Sequence, residues 1–239
     1  MSRVCRSARK SRSTLARLPA NGQIQHLLAG MERHRHPVRY LALVLEGGYV
    51  ERGAGGRWRV ESGDVVFHRA FEAHDDVEVV AGTRILNLNV DPVIDLPTVF
   101  RLDKPDELAA LDLQDVEGLV ELVGSAHPKA PLMDAWTDEL ASSLAADAMP
   151  ISVWSSRHGL SPEHVSRTFR QTHGVSPASF RLEAQVQRAM VMIEDGSSSL
   201  ADIAAATGFS DQSHMTRAVT SVTGSPPGRW RSLNSIQDG

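Results

Sequence analysis

The chain has 239 residues, 41% of them hydrophobic, which is enough for one large domain or two medium ones with separate cores. No stretch approaches the ~18 uninterrupted apolar residues that cross a bilayer, the basic N-terminus lacks a secretory apolar run, and the single cysteine, Cys5, has no intrachain partner, so a cytoplasmic location without a membrane partner is expected. The net charge of −4 is uneven, with six basic and no acidic residues in 1–22, 11 basic against 22 acidic in 23–149, and 8 against 7 in 150–239.

Residues 1–22 are rich in Arg and Ser without apolar periodicity and read as a disordered basic arm, either plainly solvated or touching DNA. From 24 to 90, short apolar runs alternate with glycine turns. Strands are predicted at Leu41–Leu45, Trp58–Val60, Val65–Phe67, Val77–Val80 and Ile85–Val90, a spacing typical of a small antiparallel barrel or sandwich. The period then changes to three and four, predicting helices over Pro105–Val123 and Leu132–Ala148. Pro128 and Pro131 separate these helices, which places a domain boundary near residue 130. The expected fold is thus α+β with two domains: a β-barrel over 23–95, a helical linker or dimerisation segment over 96–130, and an all-α domain over 131–232.

The C-terminal segment repeats itself. At an offset of 50, His164 meets His214, Arg167 meets Arg217, Gly174 meets Gly224, Pro177 meets Pro227, Phe180 meets Trp230 and Arg181 meets Arg231. Upstream the offset is 49, pairing Ile151 with Leu200, Trp154 with Ile203 and Gly159 with Gly208, so one residue is inserted near the second reading helix. Each copy has a helix ending in an apolar–small pair (Trp154-Ser155, Ile203-Ala204), a turn glycine, an apolar plug (Leu160, Phe209), a cap (Ser161-Pro162, Ser210-Asp211) and a second helix stopped by glycine. This is the grammar of a helix-turn-helix, placed at about 151–174 and again at about 200–224. Between the copies, Pro177–Glu194 reads as one helix with Leu182, Val186, Ala189, Met190 and Ile193 on a single stripe.

The stretch from Leu200 to Arg231, LADIAAATGFSDQSHMTRAVTSVTGSPPGRWR, together with GLSPEHVSRTFRQTHGVSPASF in the first copy, resembles the DNA-binding domain of AraC/XylS transcription regulators over residues ~131–231. The resemblance implies base contacts from Glu163, Ser166 and Arg167 and from Gln212, Ser213, His214 and Arg217, with His164 and Arg170 nearer phosphates. The chemistry agrees, since Arg grips guanine, Gln pairs with adenine and Glu accepts from cytosine. The alternative for Arg167 and Arg217 is salt bridging within the domain. Met215, Val219 and Val222 replace frequent aromatics and Thr220 a frequent base, which points to a weaker grip in copy two.

The strand-rich half resembles the cupin-type barrel that precedes this domain in many family members. His34-Arg-His36 is an H-x-H pair whose imidazoles share one face of a strand, and Gly63, Arg69, Phe71 and His74 fall at the spacing of the second cupin motif, its proline and inner glycine lost. The metal-binding Glu of that family falls at Tyr40 or Leu41 and is absent. His34, His36 and His74 suit a divalent ion such as Zn²⁺, Fe²⁺ or Ni²⁺, the wall of a metal-free pocket with Tyr40, Trp58 and Phe67, or a purely structural role, the three aromatics being otherwise simple core; no obligatory cofactor is expected. The resemblance implies a ligand-responsive regulator, an activator in many relatives, with double-stranded DNA, a small-molecule effector, a second copy of the chain and RNA polymerase as partners. The alternatives are a metal-dependent cupin enzyme fused to a DNA-binding domain and a constitutive DNA-binding protein with a purely structural barrel. No nucleophile–base–orienter set or phosphate loop is seen, so no catalysis is expected.

Overall fold

The computed structural model describes residues 22–90, 96–110, 116–146 and 149–231, so the predicted arm falls outside them except for Gly22. Among the described residues, ten strands form two sheets. The six-stranded sheet runs β1 (Gln23–Leu27), β8 (Thr83–Asn89), β3 (Tyr40–Glu46), β6 (Asp64–His68), β9 (Val99–Arg101), β10 (His127–Pro128); the four-stranded sheet runs β2 (Met31–Arg35), β7 (Ala73–Val77), β4 (Gly48–Gly53), β5 (Gly56–Glu61). The expected two-domain α+β architecture is present. Among the described residues its β part is two sheets and not a closed barrel.

Strand alternation builds two apolar layers. Tyr40, Ala42 and Val44 of β3 join Val66, Ile85 and Val99 against Tyr49, Trp58 and Val60 of the smaller sheet. Leu41, Leu43, Val65, Phe67, Leu88 and Phe100 form a second cluster that holds Leu108 of α1 (Pro105–Ala110), with Leu122 and Val123 of α2 (Val116–Gly124) packed against it. Burial of both faces explains why β3 reads as a continuous apolar run.

Two expectations are corrected. The strand expected at Val77–Val80 lies earlier, at Ala73–Val77, and the chain leaves it through Glu78 at φ 50°. Its residues Ala73-His-Asp-Asp-Val are mostly polar yet buried, so hydropathy alone does not mark them. Turns at Gly47 and at 54–55 flank β4, a strand that the apolar runs do not mark. The helical reading of 105–123 is met at both ends, by α1 and α2, residues 111–115 lying outside the described set. Within 96–130, β9 and β10 also extend the larger sheet: Asp64–Val66 pairs with Val99–Arg101, and Phe100–Arg101 with His127–Pro128.

The helical part comprises α3 (Trp136–Ala146), α4 (Ile151–Arg157), α5 (Pro162–His173), α6 (Pro177–Asp195), α7 (Leu200–Ala206) and α8 (Gln212–Thr223), closed by a turn of helix at 227–231. Its two cores follow the repeat. Leu140, Leu144, Trp154, Val165, Phe169 and Phe180 fill the first, and Val186, Met190, Ile203, Phe209, Met215 and Val219 the second. Thus α6 closes one unit through Phe180 and opens the next through Val186 and Met190. No described helix is long and apolar enough to cross a membrane.

Candidate functional site

The two helix-turn-helix units are built by the same local devices. Gly159 and Gly208 take φ 65° and 81°, a region that disfavours a Cβ. Each turn is closed by the plug residue's amide, Leu160 N–H donating to Ser155 O at 3.0 Å and Phe209 N–H to Ala204 O at 2.9 Å. Ser161 Oγ accepts from His164 N at 3.2 Å, and Asp211 Oδ1 from His214 N at 2.7 Å, capping α5 and α8. Gly174 and Gly224, both at φ 74°, end them. Arg181 donates to Met149 O and its counterpart Arg231 to Ser198 O, so the repeat extends to this buttress.

Glu163, Arg167 and Arg170 are exposed on α5, with Ser166 half-buried between them. Spacings of three and four put them on one face, where with Gln171 they line a shallow groove. On α8, Gln212, Ser213 and Arg217 are exposed. None of Arg167, Arg170 and Arg217 enters a salt bridge among the described residues; the Arg217 charge and the capped amides hold the Asp211 carboxyl below its usual range, with the His214 amide foremost. The two histidines are less free than expected. His164 is half-buried, with Nδ1 3.4 Å from Arg167 Nη2 and its ring 6.0 Å from that of Trp136. His214 pairs Nδ1 with Ser210 Oγ at 3.1 Å and meets the edge of Phe209.

A cavity of about 370 Å³ lies in the β part, lined by His34, His36, Tyr40, His68 and His74, with Tyr49, Asp76, Gln25 and Asn87 among its other walls. The structure brings together four of the six expected pocket residues. Phe67 is a correction: alternation on β6 turns it to the opposite face, in the layer beneath α1 and α2. Trp58 is another, because it packs in the inter-sheet core over the Gly55-Gly56 turn instead of the cavity. His68 was missed by motif reading, although its place two residues after the inward Val66 marks it. The rings of His68 and His74 are 4.2 Å apart, those of His34 and His74 4.3 Å. Burial, reinforced by neighbouring imidazoles, pushes His68 and His74 well below the usual histidine range, so both are neutral at physiological pH. Behind them Glu51 is pushed well up by burial and by Asp76, whose own carboxyl is raised by burial to about 6. His34, His36 and His74 offer ligand atoms within 4.8 Å of one another, and so does a second set, Glu51, His68 and His74.

Residues 154–232 match a family model described as a helix-turn-helix domain. That segment is an AraC-type helix-turn-helix domain. Among solved structures, the chain is similar to ToxT from Vibrio cholerae at 8% identity, covering 89% of this chain and 98% of that one with a TM-score of 0.40. It is similar also to an AraC-type regulator from Chromobacterium violaceum (25% identity, 42% and 92% coverage, TM-score 0.38). The DNA-binding domain of AdpA, solved in complex with a target DNA, aligns at 20% identity over 42% of this chain and 94% of that one, with a TM-score of 0.39. No curated protein matches the chain significantly.

The AraC-type domain is docked on the β part by charge. Along β2, His34 lies in the cavity wall, while Arg33 and Arg35 both reach Glu183 of α6, at 2.5 and 2.9 Å. Arg33 also meets Asp75 at 3.0 Å, and Arg52 joins Asp75 to the Thr172 carbonyl near the end of α5. Further along, Arg57 holds Asp138 of α3 through two hydrogen bonds of 2.8 Å, and Arg39 pairs with Glu194. Phe71, at φ 60° between β6 and β7, turns its ring edge-on to Trp230 at 5.2 Å.

Proposed function

We propose that the protein is a sequence-specific DNA-binding transcription regulator whose N-terminal cavity binds a small-molecule effector. The DNA-binding part rests on the AraC-type domain. The effector part is supported by one observation above others: β2 carries cavity-lining His34 and the interdomain arginines Arg33 and Arg35 in alternation. A ligand that shifts the imidazoles moves the same strand that grips α6, and α6 joins the two reading units. Linkage requires only that the ligand favour one docking arrangement over the other.

In this reading Arg167 and Arg217 read bases together with Glu163, Ser166, Gln212, Ser213 and His214, while His164 and Arg170 lie nearer phosphates. The proposed domains are a sensing domain from 23 to about 95, a connecting segment of 96–130 that also offers a dimerisation surface, and a DNA-binding domain over 131–232. A homodimer that contacts RNA polymerase in the bacterial cytoplasm completes the proposal. The reading is of a regulator and not of a metal-dependent enzyme.

Selection of random duplex DNA by the purified protein, with and without a metabolite library, tests both parts. Recovery of a bipartite motif whose affinity changes with at least one compound supports the proposal. Failure to enrich any sequence defeats the DNA-reading part, and enrichment indifferent to every compound counts against the sensing part.

A further inference from the structure

We propose a divalent transition-metal site on Glu51, His68 and His74, beside the histidine pair of β2 and not centred on it. This goes beyond the DNA-binding reading and stands independently of it. The donors come from β4, β6 and β7, so the ion bridges the two sheets, with His68 and His74 in the cavity wall and Glu51 behind them. One ligand atom of each lies within 4.8 Å of the others, and His68 Nδ1 is 4.0 Å from Glu51 Oε1. Bonds of about 2.1 Å in a tetrahedral site bring donors to about 3.4 Å from each other, so closure by roughly an ångström forms the shell.

Two observations favour this set. The first is unmet polarity. Glu51 is 2%, His68 4% and His74 3% exposed, and Glu51 Oε2 and His74 Nδ1 are buried without a hydrogen-bond partner. The Tyr40 hydroxyl meets the other nitrogen of His74 at 3.2 Å and orients the ring, as an outer partner of a metal-bound imidazole does.

The second is charge. Glu51 is buried among Asp76, Glu72 and Asp75. Asp75 has its cations in Arg33 and Arg52, whereas Glu51 is met by Asp76, Tyr49 and His68. Without a cation close by, such a carboxyl keeps its proton, and a divalent ion takes that proton's place on Glu51. The alternative set of three imidazoles, His34, His36 and His74, brings no negative charge to the ion, whereas Glu51 cancels one. Two imidazoles and a carboxylate suit Zn²⁺, Co²⁺, Ni²⁺ or Fe²⁺ and leave coordination positions open toward the cavity.

The test is Co²⁺ titration of the full chain, followed by visible absorption, for the unaltered protein and for Glu51→Gln, His68→Gln and His34→Gln. Circular dichroism and DNA binding verify that each variant is folded. The expected result is Co²⁺ binding by the unaltered protein that weakens more than about tenfold in both Glu51→Gln and His68→Gln, whatever His34→Gln does. No binding by the unaltered protein, or unchanged binding by either of those two variants, overturns the proposal. If a variant does not fold, X-ray absorption of the Co²⁺-loaded unaltered protein decides. Two imidazoles with an oxygen donor support the site, and three imidazoles place the ion on His34, His36 and His74 instead.

Discussion

Arg167 stands exposed on α5 with Glu163, Ser166 and Arg170 on the same helix face, an arrangement suited to a guanine edge. Arg167→Ala is expected to weaken binding to the selected site by about 1–3 kcal/mol and to relax preference at one base pair. Unchanged affinity and preference in a quantitative binding assay would remove Arg167 from the groove. A second residue, His173, reports on the fold. It is 1% exposed and bonded to the Thr137 carbonyl at 3.1 Å, and burial, outweighing the attraction of Asp138, lowers its pKa from the ordinary 6.5 to about 4. The unfolded chain therefore takes up this proton first. The stability His173 contributes is present above about pH 6.5 and is lost as pH falls toward 4, by on the order of 2–3 kcal/mol at pH 4.5. Denaturant unfolding of the protein and of His173→Gln at pH 7 and 4.5 checks it: the variant should lose less on acidification by about that amount. Comparing the two removes the opposite contributions of Glu51 and Asp76, whose raised values favour the folded state at low pH.

Among the elements, β2 and α6 clasp the two parts of the molecule together. Glu183 receives both Arg33 and Arg35, and its side chain is 13% exposed, so the clasp is shielded from solvent and only weakly screened by salt. Glu183→Gln should weaken docking by about 1.5–3 kcal/mol, the range for a hydrogen bond to a charged group. Faster amide hydrogen exchange in both β2 and α6, with α7 and α8 unchanged, is the expected signature. Identical exchange in the variant would show that the clasp contributes nothing. The helix-turn-helix elements were legible in the sequence because their determinants are local: a cap, a turn glycine with positive φ, and apolar residues at spacings of three and four. By contrast β7 was misplaced, since His74, Asp75 and Asp76 are polar yet buried by partners from β2 and β4.

For the whole molecule, α6 sets the separation of the two reading helices. Its 19 residues, Pro177–Asp195, extend about 28 Å at 1.5 Å per residue, commensurate with reading helices one DNA turn of about 34 Å apart. Arg188 bonds to the carbonyls of Ala145 and Thr207, and Gln185 to that of Gly208, which ties α6 to both units. Inserting about five base pairs between the halves of the selected site should therefore reduce affinity more than about tenfold, because the second half-site rotates to the opposite face of the duplex. Equal binding to both sites in a gel-shift titration would mean that only one unit reads DNA.

The sequence by itself determined the duplicated DNA-binding architecture, the α+β division and the H-x-H pair, since each is written in residues within a few positions of one another. Only the tertiary structure decided that His68 and Glu51 converge with His74, that Phe67 and Trp58 do not reach the cavity, and that Arg33 and Arg35 close on Glu183, 150 and 148 residues away. The reason is physical. Strand register and sheet packing bring together side chains whose separation along the chain carries no period, and a buried polar residue becomes recognisable only once its partners are in place.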